Sequence, residues 1–132
     1  MTPNLKSIAG FCLALSGFAA MPAHAETVNL SCYAGNAMIN ETDRYRIDLD
    51  ARTATLLGTS MDTQGQITDH TDDITHPITA IDDQYIVWEE IDNGQVAGLW
   101  RIDRSTLVLG YRNNGEGAYT NQSQCKVLHN QF

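Results

Sequence analysis

The densest run of ligating side chains in the sequence is Asp69-His70-Thr71-Asp72-Asp73-Ile74-Thr75-His76. Neutral imidazole and carboxylate are ordinary ligands for zinc and other divalent cations, which makes His70, Asp72, Asp73 and His76 the candidate metal set. The spacing follows no zinc or calcium pattern, and the run has no glycine to wrap the chain round an ion. A solvated acidic loop is the plainer expectation for this segment.

A second constellation is aromatic: Tyr85, Trp88, Trp100, Tyr111 and Tyr119. Adjacent antiparallel strands set such residues side by side on one face. Facing inward they form core or a cup for a small apolar ligand; facing outward they form a recognition patch, since Trp and Tyr dominate binding hot spots. Strand alternation groups Trp88 with Ile86 and Glu90, and Trp100 with Val96, Gly98 and Ile102, so at least one indole is expected to face inward.

Acid–base chemistry has one candidate, the carboxylates Glu89, Glu90 and Asp92 beside Trp88. A glycosidase holds two carboxyls about 5 to 10 Å apart across a cleft long enough for sugar, and a chain this short must spend its apolar residues on its own core. No serine lies in a Gly-x-Ser-x-Gly turn. The expectation is a protein that is not an enzyme and carries no cofactor.

The elements that position these groups begin after an export signal. Residues 1–25 combine a start carrying Lys6, an apolar stretch from Ile8 to Ala20 and the small-residue exit Ala23-His24-Ala25. That is a cleavable secretion signal, and its apolar stretch falls short of the roughly 20 residues that cross a bilayer. No membrane span is expected in the mature chain, residues 26–132, which reads as a single β domain in the periplasm or outside the cell. Cys12 leaves with the signal, and the remaining cysteines, Cys32 and Cys125, are expected to form one disulfide tying the two ends of the domain together.

Charge narrows the partners. The full chain carries 16 Asp and Glu against 8 Lys and Arg, a formal charge of −8, and losing Lys6 takes the mature chain one unit further negative. Arg44, Arg46, Arg52, Arg101, Arg104, Arg112 and Lys126 are scattered singly among acids, which excludes the clustered basic surface that nucleic acid requires. A basic protein is the partner such a field attracts.

The apolar residues recur with period two. Val28, Leu30 and Cys32 alternate in the first strand; Tyr45, Ile47 and Leu49 alternate over Arg44–Asp50, followed by a turn into Thr53–Gly58. Ser60–Asp73 is polar, with one weak strand around Gln66-Ile67-Thr68, and Pro77 makes Ile74–Ile81 an edge strand if it is a strand. Gln84–Ile91 and Gln95–Ile102 flank Asp92-Asn93-Gly94, a hairpin turn, and further strands cover Thr106–Tyr111 and the Tyr119–Val127 stretch. The fold class is all-β: a small antiparallel barrel or two-sheet sandwich of seven or eight strands.

In layout, a signal followed by a small acidic β domain with cysteines near both ends, the chain resembles the periplasmic inhibitors of c-type lysozyme. Their Ser-Gly-x-x-Tyr loop has no counterpart, because the only Ser-Gly here is Ser16-Gly17 inside the signal; no site residue is carried over. The functional expectation is a non-catalytic binding module acting on another macromolecule, plausibly restraining a basic enzyme. The alternatives are a carrier of a small apolar ligand in a barrel, and an envelope metal-binding protein.

Overall fold

Each of eight antiparallel strands pairs with the next in the chain, and the last returns to the first, closing a barrel. The strands are β1 (Thr27–Gly35), β2 (Ile39–Asp48), β3 (Thr53–Thr63), β4 (Gln66–Ile81), β5 (Tyr85–Asp92), β6 (Gln95–Asp103), β7 (Val108–Asn113) and β8 (Thr120–Leu128). The structure, a computed structural model, describes residues 27–36 and 38–128. The secretion signal expected over residues 1–25 lies outside the described residues. Among the described residues there is no helix long and apolar enough to cross a membrane.

Closure follows from turn chemistry and alternation. Two-residue turns at Gln64-Gly65 and Asn93-Gly94 place both central residues at positive φ, 53° and 90° in the first and 51° and 76° in the second, the twist that joins adjacent antiparallel strands. Consecutive strands are therefore neighbours throughout. The one pairing of strands distant in the chain is β1 with β8, where Cys32 lies directly opposite Cys125 and the two are joined by a disulfide across 93 residues. That bond is consistent with an oxidising compartment.

Inward positions fill the barrel. Leu30, Ile47, Ala54, Ile86, Trp88 and Ile102 have no accessible surface, and Val28, Cys32, Tyr45, Ile78, Leu107, Leu109 and Cys125 complete the core. Each large side chain removed from water contributes about 1.5 to 3 kcal/mol before the entropy of ordering is counted. Leu49, expected on the inward face of a strand, lies in the turn after β2 and packs against the core from there.

The middle of the chain departs from expectation. The polar stretch and the Pro77 segment are parts of one long strand, β4, and residues 59–63 continue β3 rather than ending it. β3 pairs with β4 along its whole length, whereas β5 joins β4 only from Ile78, opposite Trp88. Residues 66–77 thus have a partner on one side only. Pro77 sits opposite Thr53, the last position before β5 joins, where its missing N–H removes no bond to β5.

Candidate functional site

The connections from β1 to β2, β3 to β4, β5 to β6 and β7 to β8 lie toward one end of the barrel, called here the hairpin end; those from β2 to β3, β4 to β5 and β6 to β7 lie toward the other. Regular alternation along β2 turns Glu41, Asp43, Tyr45 and Ile47 to the same inward side, with Ile47 and Tyr45 in the core and the two acids toward the hairpin end. On β5 the inward series is Ile86, Trp88 and Glu90. A layer of carboxylates therefore sits directly above the aromatic layer of the core.

The aromatic layer is a stack. Tyr45 and Trp88 pack with ring centroids 5.6 Å apart, and Trp100 and Tyr111, cross-strand partners, are 4.6 Å apart. Gly98 makes room for this, since a Cβ there would run into the Tyr111 hydroxyl and ring. The indole nitrogen of Trp88 is buried and has no hydrogen-bond partner. A buried donor left unpaired costs about 1 to 3 kcal/mol, which the packing of this fully enclosed ring offsets.

The two layers disfavour ionisation in one another. Burial, then the neighbouring Asp43, pushes the Glu41 carboxyl above its ordinary range. Burial is also the main force raising the Tyr45 and Tyr111 hydroxyls; Asp43, Glu90 and Glu41 add to it at Tyr45, and Glu90 and Glu116 at Tyr111. Asp43 accepts a 2.8 Å hydrogen bond from the Thr59 hydroxyl. His76 is buried beneath Glu90, and burial lowers its pKa against the opposing pull of that carboxylate. Its Nδ1 accepts the Ile91 N–H at 3.4 Å, covering an amide of β5 beyond the last residue of that strand paired with β4.

The expected aromatic set divides. Trp88, Trp100 and Tyr111 face inward, while Tyr85 and Tyr119 lie outside, where each ring has the Arg101 guanidinium 4.1 Å from its centroid. The His70–His76 segment, expected as a loop, is strand, and a strand separates ligands that a loop would fold together. His76 is in the core, Asp72 is half-buried, and His70 and Asp73 are exposed. Among the described residues no three His, Cys, Asp or Glu side chains converge in a metal-binding arrangement. Glu89 pairs with Leu99 on the outward side, so the adjacent acids Glu89 and Glu90 serve opposite faces.

The hairpin end is also apolar. Ile67 is 71% exposed and Met38 59%, and Ile39, Met61 and Ile91 are also exposed, in turns and strand segments toward this end that also carry Glu41, Asp62, Asp69 and Asp92. At the opposite end, Leu128 is the one large apolar side chain exposed among the described residues. Glu41, Asp43 and Tyr45 could have been found by extending the Tyr45-Ile47 alternation backward along the chain. No known family model matches the chain, and no curated protein or solved structure does either.

Proposed function

We propose that the protein is a secreted or periplasmic, non-catalytic binding module that engages a basic macromolecule, plausibly a basic enzyme it restrains, through its hairpin end. The observation that carries this reading is that exposed apolar side chains and carboxylates both occur toward one end of the barrel: Met38, Ile39, Met61, Ile67 and Ile91, with Glu41, Asp62, Asp69 and Asp92. Carboxylates steer a cationic surface toward this end, and apolar contacts then supply the short-range affinity. The rigid, covalently stapled barrel keeps the four turns in place, which lowers the entropy cost of binding.

The ligand-carrier reading has less support, because the inward aromatics spend their faces on one another and on Tyr45. The metal reading has less again, as His76 is in the core and His70 on the surface. The test is surface-plasmon binding of the mature protein to a panel of basic and acidic enzymes, c-type lysozyme among the basic ones, at low and high salt. The expected outcome is salt-sensitive binding to a basic member, weakened at least tenfold by Ile67→Ser with Met61→Ser. Binding to no basic member, or binding unmoved by those changes, overturns the reading.

A further inference from the structure

On one outer wall of this acidic chain two arginines stand against tyrosine rings. On the outside of the barrel, the Arg101 guanidinium carbon lies 4.1 Å from the ring centroids of both Tyr85 and Tyr119, and the Arg112 guanidinium lies 5.3 Å from the Tyr119 ring. Strand order puts Tyr85, on β5, to one side of Arg101 and Tyr119, at the entry to β8, to the other. Rings against the faces of a planar guanidinium hold its orientation and leave its N–H donors, all in the plane, at its edge.

The carboxylate nearest to Arg101 along its strand is already engaged. Asp103 Oδ1 accepts the Ser105 N–H, the Ser105 hydroxyl and the Thr106 N–H, at 2.9, 2.8 and 3.1 Å. Those bonds, the one from Thr106 foremost, hold the Asp103 carboxyl below its usual range, and Arg101 is not among their sources. Arg112 Nε is buried without an acceptor. Two cations therefore share one tyrosine on a chain whose overall field is negative.

Arg101 lines a groove of about 220 Å³ together with Tyr85, Asp103, Thr106, Val108, Gly110 and Asn121, the Asp103 carboxylate being tied to Ser105 and Thr106 through Oδ1. Arg101 pairs with Gly110, and Gly110 with Asn121, so a guanidinium and a carboxamide stand on either side of a floor without a side chain. A Cβ at Gly110 would meet only the Thr120 carbonyl at 3.4 Å and the Tyr119 side chain at 3.5 Å, so space rather than backbone geometry is what the glycine contributes.

We propose that this groove binds the carboxylate of a moiety about one residue in size, with the Arg101 edge taking the two oxygens and Asn121 holding the body of the ligand over Gly110. Guanidinium and carboxylate match as paired forks, a geometry that an ammonium group cannot reproduce. The groove is smaller than the roughly 300 Å³ from which drug-sized pockets begin, so it takes one acidic sugar unit or one chain-terminal amino acid rather than a larger ligand. It lies on the wall toward the end opposite the hairpins, so it stands or falls independently of the partner proposed for them.

The test is titration of isotope-labelled mature protein, followed by NMR, with glucuronate, with N-acetylalanine and with N-acetylalaninamide as the neutral control. Saturable shifts at the Gly110 and Asn121 amides with at least one acid and none with the amide are expected, and the acid that binds identifies the source as sugar or chain end. Arg101→Lys, which keeps the charge and loses the fork, is expected to weaken binding about tenfold, and Gly110→Ala or Asn121→Leu to do the same with the spectrum of the fold retained. Absence of a saturable shift with either acid, equal binding of the amide, or full binding by Arg101→Lys overturns the proposal.

Discussion

At the scale of single residues, His76 links the core to pH. It is buried, and its Nδ1 must be unprotonated to accept the Ile91 N–H. Burial lowers its pKa below the ordinary 6.5, so the unfolded chain binds the proton more tightly than the folded one. Stability contributed by the neutral imidazole is therefore present above that pH and lost as pH falls below it. The melting temperature is expected to fall as pH drops below 6.5, and His76→Gln to flatten that part of the profile; an unchanged slope in the variant would show that other groups govern it. Trp88 is the other sensitive residue. Trp88→Ala should cost about 3 to 5 kcal/mol in urea denaturation, and Trp88→Phe distinctly less, because it keeps a ring beside Tyr45 while deleting the unpaired N–H.

Among the elements, β4 has the least conventional environment. From Gln66 to Pro77 it pairs with β3 alone, leaving backbone donors and acceptors along its other edge unpaired with β5. Open edges invite pairing with another chain, and charged side chains are a common guard against it. Asp69, Asp72 and Asp73 stand on this edge strand, which gives the acidic run a physical role that needs no metal. Asp69→Asn with Asp72→Asn and Asp73→Asn is expected to produce concentration-dependent self-association in sedimentation equilibrium, with the barrel itself little changed in circular dichroism. A variant that remains in the same association state as the parent at high concentration would show that twist or the turns, not charge, protect the edge.

For the molecule as a whole, the seam between β1 and β8 is the place where closure and covalent chemistry coincide. A bond closing a loop of 93 residues restricts the unfolded chain by about 4 to 5 kcal/mol on the loop-entropy model. Cys32→Ala with Cys125→Ala should lose about that much stability by denaturant titration, enough to leave a domain of this size marginal. A loss under about 1 kcal/mol would mean that the rest of the barrel already confines the two ends. The asymmetry of the surface is also a whole-molecule property: β4 supplies Asp69, Asp72, Asp73 and exposed Ile67, and the strand ends of β2, β3 and β5 add Ile39, Met61 and Ile91 toward the same end.

Much of this was legible in the residues themselves. Period-two alternation in Val28-Leu30-Cys32 and Ile86-Trp88, the Asn93-Gly94 turn, and a single pair of cysteines beyond the expected signal specify antiparallel strands, their inward faces and the staple, because each depends on local geometry or on elimination. The outer half of the β3–β4 ribbon was hidden, since residues exposed on both faces carry no alternation, and residues 60–73 read as polar chain with one weak strand around Gln66-Ile67-Thr68 although they belong to a paired ribbon. Register irregularities at Leu56/Gly58 and Leu109/Gly110 shift the pairing at points that no local pattern marks. Closure itself brought Glu90 of β5 close to Tyr45 of β2, and set Arg101 between tyrosines from β5 and the entry to β8. Such neighbours arise from the order and stagger of strands round a barrel, a long-range property that a period of two does not encode.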